Sequence, residues 1–159
     1  MEASIATNPV EPITALPSEG ANITLVTKTR RVGLLRVLGY CLTTGDFNLI
    51  HLFSSVARRV GFEGRFAHGG LVQGIAKDLI RRSEKAMTDR GIPMITKEDW
   101  EFKHPVYFGD QIVVFYTIRY RSNGKGNLVR IKASVQRQTP KGPPEVVTEG
   151  TLCGLIKPR

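Results

Sequence analysis

The chain has 159 residues, of which 41% are hydrophobic and 23% are charged, and this composition is that of one globular domain. It excludes a collagen, a coiled coil and a wholly disordered chain, and the two cysteines, Cys41 and Cys153, exclude a disulfide framework and a cysteine-based zinc site. The net charge of +9 is consistent with anionic partners, which include nucleic acid, an anionic membrane and a phosphate-rich small molecule, and equally with a solvated basic face that has no specific partner.

The beginning of the chain differs in composition from the rest. Residues 1–27 contain three glutamates and no Lys or Arg, and several prolines precede residue 21. We expect residues 1–21 to form a flexible tail and residues 22–159 to form a single domain. The sequence has no apolar run long enough to span a membrane and no secretory signal, so we expect a cytoplasmic protein.

The first predicted elements are a strand and a helix. Alternating residues predict a strand over Ile23–Arg31, whereas residues 33–44 are ambiguous. Asn48 is a favoured N-cap, because its side-chain oxygen can accept a hydrogen bond from the first turn of a helix. Apolar residues follow it at helical spacing and predict one helix that ends at Gly61.

The longest predicted helix extends from Gly69 to Arg90, because its apolar residues recur at steps of three and four. Short turns then separate several runs of strand-forming residues, which predicts an antiparallel meander. One long helix packed on such a sheet is an α+β fold. The predicted strands are Met94–His104, Gln111–Arg121, Leu128–Thr139 and Val146–Lys157.

A carboxylate and an imidazole flank Asn48. Asp46 lies in the turn before the predicted helix, and His51 lies about one turn into it. Both side chains can face one cleft, where a carboxylate and an imidazole that share a water molecule form a general acid–base pair. The same residues are also compatible with structural roles, Asp46 as a turn residue and His51 as a ring hydrogen-bonded to the backbone.

Two glycines mark the start of the longest helix, in the order His68, Gly69, Gly70. Amides at a helix start bind developing negative charge, so they are candidates for holding a polarised thioester carbonyl. The alternative is a glycine-rich turn into a buried helix, with His68 structural.

A third stretch, Phe102–Asp110, predicts a strand, a break at Pro105 and a turn. The three histidines are too scattered in the sequence to argue for a metal site.

In this order, the three stretches resemble the MaoC-like hydratase/dehydratase family of the hotdog fold, which includes the (R)-specific enoyl-CoA hydratases. The family motif Gly-Asp-x-Asn-Pro-hydrophobic-His, with Ala or Ser six residues on, is matched by Gly45, Asp46, Asn48, Ile50, His51 and Ala57. The His-Gly of the family's central helix is similar to His68-Gly69. Its strand turn is similar to Phe102, Pro105, Val106, Tyr107, Gly109 and Asp110. Leu49 stands where the family usually has proline, which leaves the helix possible but makes the turn less rigid.

The resemblance implies a curved antiparallel sheet wrapped around one long helix, and protomers that pair edge to edge as a homodimer or larger homo-oligomer. It implies that Asp46 and His51 activate water and that the Gly69 amide polarises the thioester carbonyl. The implied reaction is the reversible hydration of 2-enoyl thioesters to (R)-3-hydroxyacyl thioesters, on coenzyme A or an acyl-carrier protein, with no metal or redox cofactor. We also expect contacts with the substrate from Asn48, His68 and Gly70.

Arg58 and Arg65 lie near the motifs in sequence, and they are candidates for phosphate contacts or simply solvated charges. Two other functions stay open. A thioesterase would direct the activated water at the carbonyl, and a non-catalytic module would only bind acyl-CoA. We expect no nucleic-acid partner, because the sequence lacks helix-turn-helix, zinc-finger and aromatic RNA-binding signatures. We expect no membrane partner either.

Overall fold

The structure is a computed structural model, and it describes residue 20 and residues 22–83, 94–122, 127–138 and 143–156. The predicted tail lies outside the described residues except for Gly20. The helices in these residues are α1 (Leu34–Thr44), α2 (Leu49–Leu52), α3 (Ser54–Arg59) and α4 (Gly69–Ser83). The strands are β1 (Asn22–Val26), β2 (Arg30–Arg31), β3 (Met94–Phe102), β4 (Gln111–Ser122), β5 (Asn127–Gln138) and β6 (Glu145–Ile156).

The strands form one antiparallel sheet in the order β1-β4-β5-β6-β3, and β2 also pairs with β4. The predicted meander is confirmed for β4, β5 and β6. It is wrong for β3, which pairs with β6 and lies at the edge of the sheet. The chain leaves the sheet after β3, where the Ala67 N–H donates to the Val106 carbonyl at 2.8 Å. The chain crosses here from β3, at one edge of the sheet, to β4, which lies toward the other edge. The hydrogen bond fixes the crossing segment to the segment before α4.

The long helix α4 packs on one face of the sheet. Its buried residues repeat at the predicted steps and join the inward-facing residues of β4, β5 and β6 in one core. Burial of each such aliphatic side chain contributes about 1.5–3 kcal/mol. The α+β arrangement of one long helix on an antiparallel sheet is therefore confirmed. The core residues of α4 are Val72, Ile75, Ala76, Leu79 and Ile80.

Helix α1 occupies the stretch that the sequence leaves ambiguous. Val37 and Cys41, one turn apart, are both fully buried and anchor the helix to the core. Gly45 ends it with a φ of 76°, in the left-handed region that favours glycine, and its N–H donates to the Cys41 carbonyl at 2.8 Å. This turn places Asp46 near the N-terminus of α4, where its carbonyl contacts His68.

The helix predicted from Asn48 to Gly61 is interrupted. Phe53 is extended, with φ −122° and ψ 116°, and it separates α2 from α3. The predicted stop is confirmed, since Gly61 has a φ of 93°. On either side of the interruption, α2 buries His51 and α3 buries Ala57.

The strand predicted over Ile23–Arg31 is likewise divided into β1 and β2. Thr27 lies in the gap, and its hydroxyl accepts a hydrogen bond from the Val114 N–H at 3.1 Å, in place of a regular ladder bond. Residues 84–90 of the predicted long helix lie outside the described residues, as do parts of the two predicted turns near residues 124 and 142. No helix in the described part of the chain is both long and apolar enough to cross a membrane.

Candidate active site

His51 is the best-defined group of the site. Its ring is 8% exposed, and Nδ1 lies 2.9 Å from the backbone carbonyl of Phe66. A carbonyl only accepts hydrogen bonds, so Nδ1 carries the proton and Nε2 of the neutral ring is left with its lone pair. The Phe66 ring meets the His51 ring edge-on, with centroids 5.0 Å apart, and fixes its plane. His51 therefore presents a base of fixed orientation.

Asp46 and Asn48 form the turn that leads into α2. Asp46 Oδ1 accepts the Asn48 N–H at 3.2 Å, and Asn48 Oδ1 accepts the Ile50 N–H at 3.3 Å. These are the local bonds expected of an Asx turn followed by an N-cap. The Asp46 side chain is half exposed, so its Oδ2 remains available to a ligand or a water molecule. The structural role and the chemical role of Asp46 are thus compatible.

His68 is the second imidazole of the site. It is 3% exposed, and its ring stacks on that of His51 with centroids 3.7 Å apart. Nε2 donates to the backbone carbonyl of Asp46 at 3.2 Å, while Nδ1 has no partner among the described residues. Burial, and then the neighbouring His51, hold the pKa of His68 below its usual value, although Asp46 opposes this shift. His68 is therefore a neutral ring that supports His51.

The expectation that the histidines are scattered is wrong for this pair. His51 and His68 lie 17 residues apart in the sequence, but the approach of α2 to the start of α4 brings them into contact. His104 lies elsewhere, with Nδ1 3.2 Å from a carboxylate oxygen of Glu145.

Gly69 and Gly70 open α4, and each accommodates an aromatic side chain. The Gly69 amide has no acceptor within the helix, because it belongs to the first turn. A Cβ on Gly69 would lie 2.7 Å from the Phe102 ring, and a Cβ on Gly70 would collide with the Tyr40 hydroxyl. Only glycine permits these close contacts. The two aromatic rings therefore form walls beside the free amide.

Tyr40 is a site residue that the sequence reasoning missed. Its ring lies 4.8 Å from that of His68, and its hydroxyl rests against Gly70. The residue belongs to the stretch of ambiguous structure, and only its position six residues before Asp46 could have indicated it. Phe102 was named only as part of a strand motif.

Arg58 and Arg65 both contact the backbone near the site. Arg58 Nε donates to the Glu63 carbonyl at 3.1 Å, and Arg65 Nη1 donates to the Leu52 carbonyl at 3.3 Å. The Arg65 guanidinium also lies 4.5 Å from the centroid of the Phe108 ring. These contacts tie the loop before α4 to α2 and α3, and both cations lie beside the His51 segment.

The turn after β3 supports the same loop from the other side. Arg137, with a side chain 14% exposed, pairs with Glu145 at 2.6 Å and with Asp110 at 3.4 Å. Asp110 Oδ2 also accepts the Tyr107 N–H at 2.8 Å, and Tyr107 forms a β-bridge with Phe66. A chain of contacts thus extends from a partly buried ion pair to the carbonyl that orients His51.

Asp46, His51 and His68 each offer a ligand atom, and these atoms lie within 4.8 Å of one another. Two imidazoles and a carboxylate are ligands that Zn²⁺ accepts. Backbone carbonyls, however, already engage one nitrogen of each ring. Each ring therefore donates one N–H to a carbonyl and keeps its other nitrogen for a proton or a ligand.

The structure thus brings Asp46, His51 and His68 together at the start of α4, where Gly69 and Gly70 follow His68, and Asn48 bonds to Asp46 in the adjoining turn. A family model described as "MaoC like domain" matches residues 23–138. A comparison with curated proteins finds no match.

Solved structures of similar fold include a protein titled as the monoamine oxidase regulatory protein of Archaeoglobus fulgius. It has a TM-score of 0.72 and 24% identity, over 90% of this chain and 92% of that one. An (R)-hydratase from A. caviae involved in PHA biosynthesis has a TM-score of 0.66 and 18% identity, over 90% and 98% of the two chains. A Mycobacterium tuberculosis protein with a double hotdog fold has a TM-score of 0.65 and 18% identity, over 87% and 39%. The fold is therefore a hotdog fold.

Proposed function

The chain belongs to the MaoC-like domain family, and on this basis we propose that it hydrates 2-enoyl thioesters reversibly to (R)-3-hydroxyacyl thioesters. One observation carries the proposal: ligand atoms of Asp46, His51 and His68 lie within 4.8 Å of one another, and Gly69, with its free amide, directly follows His68 in the chain. A water-activating pair and a donor for a carbonyl oxygen are the two parts that this reaction needs. The (R)-hydratase among the similar structures supports the same reaction class.

The proposed step uses only groups of this chain. Asp46 and His51 hold one water molecule, and His51 Nε2 takes a proton from it as the water oxygen bonds to C3 of the enoyl group. The electrons of the double bond move toward the thioester oxygen, which the Gly69 N–H stabilises. The imidazolium of His51 then returns the proton to C2. Atoms and charge balance without a metal or a redox cofactor.

We propose a thioester of coenzyme A or of an acyl-carrier protein as the substrate. Both carriers are anionic, and the chain carries a net charge of +9. Arg58 and Arg65 lie beside the site and are candidates for the carrier's phosphates, in addition to the contacts that they make with the backbone. Asn48, His68 and Gly70 complete the wall that the acyl group would meet.

We also propose that the protein acts as a homodimer through β3. This strand forms one edge of the sheet, pairs with β6 on one side only within the described residues, and is exposed over almost its whole length. An exposed edge of nine residues offers backbone donors and acceptors to a second copy. Phe102, at the end of β3, lies against Gly69, so pairing there would bring two active sites close to the interface.

The test is the loss of enoyl absorbance with crotonyl-CoA and with longer 2-enoyl-CoAs. We expect turnover by the wild-type protein and a fall of about 100-fold or more in both Asp46→Asn and His51→Ala, because each removes one of the two water-activating groups. His104→Ala is the matched control, since it removes a histidine that lies outside the site.

Equal turnover in all four proteins would contradict the site assignment. Release of free thiol instead of loss of the alkene would show a thioesterase, and binding of acyl-CoA without either change would show a non-catalytic module.

A further inference from the structure

The face of the sheet opposite α4 contains a basic cavity. Its volume is about 520 Å³, which lies in the range of small-molecule sites. Arg119 and Arg121 on β4 and Arg130 on β5 line it, together with Thr96 and Cys153 of the next strands. Among the described residues, no carboxylate lines the cavity and none of the three arginines forms an ion pair.

The register of the sheet places two of these charges side by side. Arg119 and Arg130 are direct cross-strand partners, and like charges at directly opposed positions destabilise a sheet. Alternation along the strands turns both side chains away from the core, and both are exposed. The sheet therefore maintains an unfavourable pair that a bound anion would relieve.

Several cations elsewhere in the described residues pair with carboxylates. Lys77 pairs with Glu98, and Arg81 and Arg82 pair with Asp78. A neighbouring cavity of about 490 Å³ is lined by Asp99, Glu101 and Glu149, but Lys132 lines it as well and Lys103 pairs with Glu149. The acidic cavity is thus largely compensated, whereas the basic one is not. A second copy of the chain would therefore offer the arginines little complementary charge.

We propose that this cavity is a binding site for a small anion that carries two or more phosphate groups. Guanidinium groups bind phosphate oxygens in a bidentate manner, and three of them need several negative charges in a small volume. The site is separate from the cleft around His51. Arg119 follows Asp110 by nine residues of β4, which corresponds to about 30 Å of strand. None of the residues that line the cavity belongs to the group around His51.

The test uses the full chain and inorganic tripolyphosphate, with calorimetry at low ionic strength. We expect one tripolyphosphate per chain, bound at least about tenfold more tightly than orthophosphate. Arg119→Gln and Arg130→Gln should each weaken binding by about tenfold or more, because each removes a charge-assisted contact. Arg36→Gln is the matched control. It removes an exposed arginine of α1 and should leave the affinity within about twofold.

Thermal unfolding provides an independent readout. Arg119→Gln relieves the cross-strand repulsion, so its unfolding temperature should be at least that of the wild type without anion. Tripolyphosphate should raise the unfolding temperature of the wild type more than that of the variant, because the variant binds it more weakly. Equal weakening of binding by all three substitutions would show diffuse attraction and overturn the proposal, as would the absence of binding.

Two further probes distinguish the source of the phosphate. ADP in solution represents a soluble phosphate ester, and phosphatidylcholine vesicles that contain a phosphatidylinositol bisphosphate represent a lipid headgroup. Whichever of them binds should lose affinity in Arg119→Gln and Arg130→Gln but not in Arg36→Gln. Binding of single-stranded RNA without binding of tripolyphosphate would replace the proposed site by an extended nucleic-acid surface.

Discussion

A backbone carbonyl sets the chemistry of the most important side chain in the site. In a solvated loop, either ring nitrogen of a histidine can act as the base. Here the Phe66 carbonyl accepts a hydrogen bond from Nδ1 of His51, so Nε2 is the nitrogen without a proton. The sequence predicts that His51 and Asp46 share a cleft, because both lie close together at a helix start. It could not predict the role of Phe66, because the contact joins residues that only the tertiary fold brings together.

Tyr40→Phe tests whether the hydroxyl beside Gly70 contacts the substrate. We expect a fall of about tenfold in kcat with an unchanged unfolding temperature, because the ring that stacks on His68 is retained and only a hydrogen-bonding group is lost. Steady-state kinetics and thermal unfolding measure the two effects. Tyr116→Phe is the control: it removes a hydroxyl that bonds Ser83 at 2.6 Å beneath α4, and it should lower stability without changing kcat. Wild-type kinetics in Tyr40→Phe would contradict the assignment.

His68 makes stability dependent on pH. Its pKa is lowered in the folded protein, so the unfolded chain binds more protons and the free energy of unfolding falls as the pH drops below the ordinary histidine value of about 6.5. His68→Asn keeps a residue suited to the N-cap of α4 but cannot be protonated. Urea unfolding between about pH 7 and pH 5 should show a smaller loss of stability in the variant. An identical loss in both proteins would rule out His68 as the cause.

At the level of elements, the sequence predicts the regular parts and misses the irregular ones. The steps of three and four in α4 and the alternation in β4, β5 and β6 arise from burial on one face, which is a local property of the sequence. The break at Phe53 and the position of β3 beside β6 depend on contacts between distant segments. The loop before α4 is such a segment. The Arg137 ion pairs stabilise it indirectly, because Asp110 bonds to Tyr107 and Tyr107 pairs with Phe66 of the loop.

Arg137→Ala tests this support. It leaves Asp110 and Glu145 without their cation in a partly buried position, so we expect a loss of about 1–3 kcal/mol in the free energy of unfolding and a fall in kcat as the Phe66 carbonyl moves. Arg137→Lys keeps the charge without the forked geometry and should recover part of both losses.

The control is Arg82→Ala, which breaks an exposed pair with Asp78 and should cost about 0.5 kcal/mol or less. Equal costs for Arg137→Ala and Arg82→Ala in urea unfolding would refute a special role for the partly buried pairs of Arg137.

At the level of the whole molecule, the two edges of the sheet differ. The edge formed by β1 and β2 is short and divided at Thr27, whereas β3 is a continuous strand of nine residues. The sequence predicts both strands but not which of them lies at an edge, because strand order is decided by the connections. An unbroken edge is the one suited to pairing with another copy.

Proline substitution in β3 tests the proposed dimer. Neighbouring residues of a strand direct their N–H groups to opposite sides, so one of Glu98→Pro and Asp99→Pro disrupts pairing with β6 and the other disrupts only the free edge. The wild-type chain of 17.6 kDa should have about twice that mass by light scattering. One variant should be a folded monomer, and the other should be destabilised. A monomeric wild type at micromolar concentration would disprove the pairing.

The short helix α2 has a consequence for how the protein loses activity. Four residues are too few for a helix to be stable by itself, so the position of His51 depends on the Phe66 carbonyl and on the His68 ring rather than on α2. Such a segment opens in a local fluctuation that leaves the ladder of β4, β5 and β6 intact. Its amides should therefore exchange with solvent deuterium well before those of the sheet, and gentle heating should inactivate the protein while its β-structure persists.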